Sequence, residues 1–150
     1  MASQLALADA KRSGQSAALQ TAQAILESGW GQSVPVDKYN GKFSYNLFGI
    51  KGTGSAGSVI SGTWEEYNGV KYNIDAKFRA YSGVSGSWAD HNKLLLTVSR
   101  YAPYKAVMYD SSLGAWARKR CGYATDSAYP GKLMALIDKY GLEELDRVSL

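Results

Sequence analysis

The dipeptide Asn68-Gly69 constrains this chain more than any other pair of residues in it. Asn-Gly suits a two-residue hairpin loop because both central positions of a type I′ turn need positive φ. Behind it, Val70, Tyr72, Ile74, Ala76 and Phe78 alternate with Lys71, Asn73, Asp75 and Lys77, the period of a strand with one apolar face. Val59 to Tyr67 is the expected partner strand. A two-residue loop pairs Tyr67 with Val70, Glu66 with Lys71 and Glu65 with Tyr72, and paired residues project to the same face. Glu66 then falls among Lys71, Asn73 and Asp75, where a cross-strand ion pair accounts for it. Glu65 falls among Val70, Tyr72 and Ile74, the face expected to turn inward, and a carboxylate there is out of place. This assignment of faces fails if the loop is longer or the strand is bulged.

On either side of the hairpin the period changes to that of helices. A short helix is expected over about Ser3 to Lys11. Ser16 then caps a second, Ala17 to Glu27, whose apolar residues Ala18, Ala22, Ile25 and Leu26 recur at helical spacing. Gly29 and Gly31 stop it. From Gln32 to Gly57 the chain is rich in Gly, Ser, Asn and Tyr. It still carries Phe43, Tyr45, Leu47, Phe48 and Ile50, which marks a structured loop region, not a linker. After Tyr81, Ser87 is expected to cap a helix with Trp88, Leu94, Leu95 and Val98. Two more run from about Leu113 to Cys121 and from about Ser127 to Tyr140, closed by Gly122 and Gly141. With 150 residues there is one domain of α+β class. Its helical lobe takes in residues 1–45 and 82–150, and its β-lobe residues 46–81.

Composition narrows the function by exclusion. No apolar run approaches the roughly 20 residues that span a bilayer, so membrane insertion is not expected. The single cysteine, Cys121, and single histidine, His91, rule out disulfides within the chain and Cys/His metal clusters. His91 reads as a helix-surface residue, and Arg118-Lys119-Arg120 as a helix face. A net charge of +4 suits an anionic polymer such as a bacterial wall or a nucleic acid, but it also serves solubility alone. The 11 Tyr and 4 Trp supply rings able to stack on the flat faces of sugars or bases. The opening residues Met1-Ala2-Ser3-Gln4-Leu5 do not read as a secretory signal.

Glu27 is the second carboxylate in an awkward place. It follows Ala24-Ile25-Leu26 at a helix C-terminus, where the dipole disfavours negative charge, and Trp30 nearby is able to desolvate it. Both effects raise a carboxyl pKa towards that of a general acid. Two carboxylates flanking a bond are what glycoside hydrolysis requires. A surface glutamate at a frayed helix end has the same pattern, and the residues by themselves leave both readings open.

The segment Ala22-Gln23-Ala24-Ile25-Leu26-Glu27-Ser28-Gly29-Trp30-Gly31 resembles the signature helix end of glycoside hydrolase family 73. That family comprises bacterial and phage N-acetylglucosaminidases, found in autolysins and in flagellar proteins that open the wall for the rod. Three further blocks follow in the family's order: Tyr45 to Lys51, Phe78-Arg79-Ala80-Tyr81, and Gly122-Tyr123-Ala124-Thr125-Asp126 with Tyr129. The resemblance implies a lysozyme-like fold, a helical lobe and a small β-lobe with a groove between them. It implies Glu27 as general acid and, through a Glu-x-x-Asn-Gly pattern, Glu65 as second carboxylate. Glu66 takes that place instead if the Tyr that often follows the family's Glu is aligned with a one-residue deletion. Tyr123 would position the substrate or its N-acetyl group, Asn46 and Phe48 would floor the groove, and Tyr72, Tyr81 and Asp126 would contact substrate. Trp64, Tyr72 and Trp88 carry rings that stack on sugar or pack in the core.

The implied partner is the peptidoglycan glycan strand, cut between N-acetylglucosamine and N-acetylmuramic acid by a monomer using no metal or organic cofactor, with no role for nucleic acid. Rival readings are a muramidase or lytic transglycosylase on the same polymer, and a wall-binding or assembly module without catalysis. The setting would be the bacterial wall or periplasm, reached as a phage lysin or virion-associated enzyme, or as a domain of a flagellar or surface protein.

Overall fold

In the computed structural model, which describes residues 1–124 and 126–148, Asn68 and Gly69 both take positive φ, 53° and 79°. The turn they make joins β1 (Ser58–Tyr67) to β2 (Val70–Arg79) in a two-stranded antiparallel sheet. Tyr67 pairs with Val70, Glu66 with Lys71 and Glu65 with Tyr72, the register expected from the loop length. The face carrying Glu65 turns inward only at its root, however. Val59 and Phe78 are buried there with Ala80, whereas Val70, Tyr72 and Ile74 are exposed. Ten residues of strand span about 33 Å, longer than the small core that covers the root.

The helices are α1 (Ala2–Ser13) and α2 (Ala17–Ser28) before the sheet. After it come α3 (Val84–Thr97), a 3-10 turn at Ser99–Tyr101, α4 (Ala102–Val107), α5 (Ser111–Arg120), α6 (Tyr129–Tyr140) and α7 (Glu144–Val148). Ser16 caps α2 as expected, its Oγ accepting from the Leu19 amide at 3.1 Å. Asp146 of α7 adds to that cap. Its Oδ1 accepts from the Ala18 amide at 2.9 Å, and its Oδ2 from the Ser16 hydroxyl at 2.6 Å. Ser87 does not cap α3 but lies inside it, buried, donating to the Val84 carbonyl. The sequence reading missed α4 and α7 because six and five residues are too few to display a helical period.

The chain forms two compact units. One comprises Met1–Leu26 with the residues from Leu94 onward, and the other is Glu27–Lys93, so it extends beyond the stretch 46–81 on both sides. The first has the larger core, built on Leu19, Leu95, Tyr101, Tyr104, Leu133 and Ile137. Gly114 keeps α5 close within it: a Cβ there would stand 2.8 Å from Leu19 Cδ2. Arg118, expected on a helix face, is fully buried in this unit. Its Nη2 donates to the Tyr104 hydroxyl at 2.9 Å, and its guanidinium lies 4.7 Å above the Tyr104 ring. A flat, weakly hydrated cation that stacks on aromatic rings tolerates such a place better than an ammonium would. In the second unit His91, expected at the surface, is buried with its ring flat on Phe48, 3.9 Å between centroids. Among the described residues no helix is long and apolar enough to cross a membrane.

Candidate active site

Glu27 is the last residue but one of α2 and is half-buried. The helix leaves it through three left-handed residues, Gly29, Trp30 and Gly31, with φ of 55°, 61° and 85°. Glycine suits position 29, where a Cβ would add a close approach to Ser33 Oγ, 2.7 Å away, to a positive φ. Ser28 ties the turn, its carbonyl accepting from the Ser33 amide at 2.7 Å and its Oγ from the Gly31 amide at 3.0 Å. Trp30 is a bulky residue in a conformation that costs on the order of 1 kcal/mol, and such strain collects at functional sites. The residue is 58 % exposed, more open to water than the shielding role expected of it beside Glu27.

The segment Asn46 to Lys51 is built from within by Asn46. That side chain is 1 % exposed, and its amide group makes four bonds to backbone. Its Nδ2 donates to the carbonyls of Ile50 and Arg79, at 2.8 and 3.0 Å, and its Oδ1 accepts from the amides of Phe48 and Ile50. Phe48 is equally hidden, with its edge-to-face neighbour Trp88 at 5.1 Å. These two residues, expected on a substrate-facing floor, instead hold the segment in shape from below. What the segment presents is Gly49 and Lys51. Gly49, at φ 64°, passes so close to Glu27 that a Cβ would stand 3.7 Å from Oε2. Lys51 forms a bridge with Phe78, and its ammonium is ion-paired with the Glu65 carboxylate. The Glu65 side chain is 14 % exposed. Glu27 and Glu65 therefore meet one short stretch of chain at positions two residues apart, at most about 7 Å along the backbone.

Glu66 lies on the opposite face of the sheet, across from Lys71, whose ammonium sits 4.4 Å over the Trp64 ring. Tyr72 is half-exposed beside Tyr67, 6.0 Å between rings. Tyr81, expected at the substrate, is buried and donates its hydroxyl to Asp90, which also accepts from Arg79 Nη1 at 2.9 Å. Burial first, and then the adjacent Asp90 carboxylate, push the phenol's pKa well up, so it stays a donor. Arg79 in turn donates from Nε to the Lys51 carbonyl at 3.1 Å.

Tyr123 and Asp126 belong to the other unit. There the Tyr123 ring stands 5.6 Å from that of Tyr129 and 5.9 Å from the Arg118 guanidinium. Asp126 is paired with Lys132 and accepts from the Ala128 amide. Burial works against its charge, but Lys132 and that amide outweigh it and hold the carboxyl below its usual range. Thr125 of the same block lies outside the described residues. Sequence reasoning did not single out Gly49 or Lys51. A glycine inside an apolar island is a signal of close backbone approach; nothing local announces that Lys51 faces Glu65.

A glucosaminidase family model, described as mannosyl-glycoprotein endo-beta-N-acetylglucosaminidase, matches residues 3–142. The chain belongs to the glucosaminidase family. Among related glucosaminidase sequences, exo-glucosaminidase LytG of Bacillus subtilis (strain 168) is 39% identical over 132 residues, 85% of this chain and 45% of that protein. Peptidoglycan hydrolase FlgJ of Escherichia coli (strain K12) is 42% identical over 120 residues, 79% of this chain and 38% of that protein. The chain thus spans less than half the length of either. A crystal structure of a peptidoglycan hydrolase mutant from Sphingomonas sp. A1 superposes with a TM-score of 0.78 at 35% identity, covering 93% of this chain and 91% of that one. The α+β class read from the order of elements is the class of this glucosaminidase fold.

Proposed function

We propose that this glucosaminidase hydrolyses the β-1,4 bond between N-acetylglucosamine and N-acetylmuramic acid in peptidoglycan, with Glu27 as general acid and Glu65 as second carboxylate. The observation that carries the reading is the meeting of both carboxylates on one segment, Glu27 at Gly49 and Glu65 at Lys51. Its relatives, a glucosaminidase and two peptidoglycan hydrolases, support the wall polymer as substrate.

In this mechanism Glu27 gives its proton to the leaving glycosidic oxygen as the bond to the anomeric carbon breaks. Positive charge develops on that carbon and the ring oxygen. Glu65 then takes a proton from the attacking water, which inverts the anomeric centre. In the alternative course it supports the charge while the substrate's acetamido oxygen attacks, and water opens that intermediate with retention. Proton NMR of the first-formed anomer distinguishes the two courses.

The test is clearing of a purified wall suspension, with the new reducing ends identified by mass spectrometry. Glu27→Gln and Glu65→Gln should each lower the rate about 10²–10⁴-fold, the usual worth of a positioned acid or base, with Glu66→Gln close to wild type. N-acetylglucosamine should carry the new reducing ends. Clearing by Glu27→Gln at the wild-type rate sinks the assignment of the acid. Loss in Glu66→Gln but not Glu65→Gln moves the second role across the strand. Muramic or anhydro-muramic ends make the chain a muramidase or a lytic transglycosylase, and a wild-type chain that binds wall without cutting it is a binding module.

A further inference from the structure

We infer that Lys51 is a positioning residue for the second carboxylate, its ammonium holding Glu65 in the place the reaction needs; the inference rests on the glycosidase reading above. An exposed lysine–glutamate pair ordinarily contributes little, because water screens it and two long side chains lose freedom. This pair differs in two respects. The Glu65 side chain is mostly withdrawn from water, which weakens screening. Lys51 is also anchored at its backbone on several sides. It bridges Phe78, its carbonyl accepts from Arg79 Nε, the preceding carbonyl of Ile50 accepts from the Arg79 amide at 2.9 Å, and the following amide of Gly52 donates to the Lys77 carbonyl at 2.9 Å. Arg79 is itself held by Asp90, which the Tyr81 hydroxyl braces. A continuous set of contacts thus runs from buried Tyr81 through Asp90, Arg79 and Lys51 to Glu65.

Glu65 needs such a hold. It stands on the outer part of β1, paired across the strand with half-exposed Tyr72, beyond the core that covers the root of the hairpin. The opposite face of the arm has its own brace, an ion pair of 2.6 Å between Lys38 and Asp75. That second brace does not involve Glu65, so it separates stiffening of the arm from placement of the carboxylate.

Initial rates of reducing-end release from purified peptidoglycan test the inference, on Lys51→Met, Lys51→Arg, Lys38→Met, Glu65→Gln and the Lys51→Met/Glu65→Gln pair. Lys51→Met should lower kcat about tenfold or more, a barrier increase of about 1.4 kcal/mol, with apparent KM within about twofold of wild type. Lys51→Arg should recover most of the rate, and Lys38→Met should keep it. The paired variant should be no slower than Glu65→Gln alone, because Lys51 acts through Glu65. Full kcat in Lys51→Met overturns the inference, as does an equal loss in Lys38→Met or an undiminished cost of Lys51→Met in the Glu65→Gln background. A crystal structure of Lys51→Met with Glu65 unmoved overturns it as well. An inactive Glu65→Gln beside a fully active Lys51→Met removes the role of Lys51 alone; a fully active Glu65→Gln removes both it and the second-carboxylate reading.

Discussion

A Cβ atom added to Gly49 would stand 3.7 Å from Oε2 of Glu27, so the glycine leaves that side of the carboxylate clear. The contact is an ordinary one, and Gly49→Ala has room to fold. Its cost is the left-handed backbone, about 1–2 kcal/mol for a residue with a side chain. The methyl group should also fill the space beside the Glu27 carboxylate and slow wall hydrolysis. Gly141→Ala is the matched control, since Gly141 caps α6 at φ 61° with nothing within 4 Å of the added atom. Urea unfolding should show similar losses for both, with hydrolysis slowed only in Gly49→Ala. Equal slowing in the two would point to backbone strain and not to the neighbourhood of Glu27.

Asp146 caps α2 across 128 residues of chain to the Ala18 amide and 130 to the Ser16 hydroxyl. It lies past residue 142, where the family match ends, so this support comes from outside the matched stretch. Asp146→Ala should lower stability by about 1–2 kcal/mol, the range for losing a good N-cap. The urea midpoint should fall while the hydrolysis rate at room temperature holds. An unchanged midpoint would mean that Ser16 suffices as the cap.

Asp37 links the loop before the hairpin to its root, accepting from the amides of Ile60, Asn40 and Tyr39 at 3.0, 3.0 and 2.9 Å. Those three bonds, Ile60 foremost, hold its carboxyl below the ordinary 3.8. A folded-state pKa that is depressed contributes stability above the unfolded value, and that contribution is lost as pH falls through the folded one. Asp37→Asn should therefore be less stable than wild type at neutral pH, by an amount that stays constant down towards 3.8 and shrinks below it. Urea titrations at a series of pH values follow the difference. A gap that widens in acid contradicts this account.

Which parts of the fold and site were legible follows from the range of the interactions that form them. The hairpin register was readable to the residue, because a two-residue Asn-Gly loop leaves one pairing and a period of two assigns every side chain to a face. The Ser16 cap and the glycine stops of α2 and α6 are likewise local, decided within one turn of helix. Glu27 and Glu65 stood out for the same reason, as carboxylates against an apolar local pattern.

Burial was not legible. Arg118 and His91 look like surface residues in sequence, yet an aromatic neighbour far along the chain covers each: Tyr104 lies over the first and Phe48 over the second. The exposure of Tyr72 and Ile74 was hidden too, since alternation marks a face without saying how far a core extends beneath it. By itself, then, the sequence determined the family, the hairpin and its register, and which two carboxylates to watch. Only the tertiary structure decided that Glu27 lies against Gly49 and that Lys51 reaches Glu65. Those contacts depend on a loop hydrogen-bonded to the end of β2 some 28 residues further on. No local period records a pairing between segments that far apart.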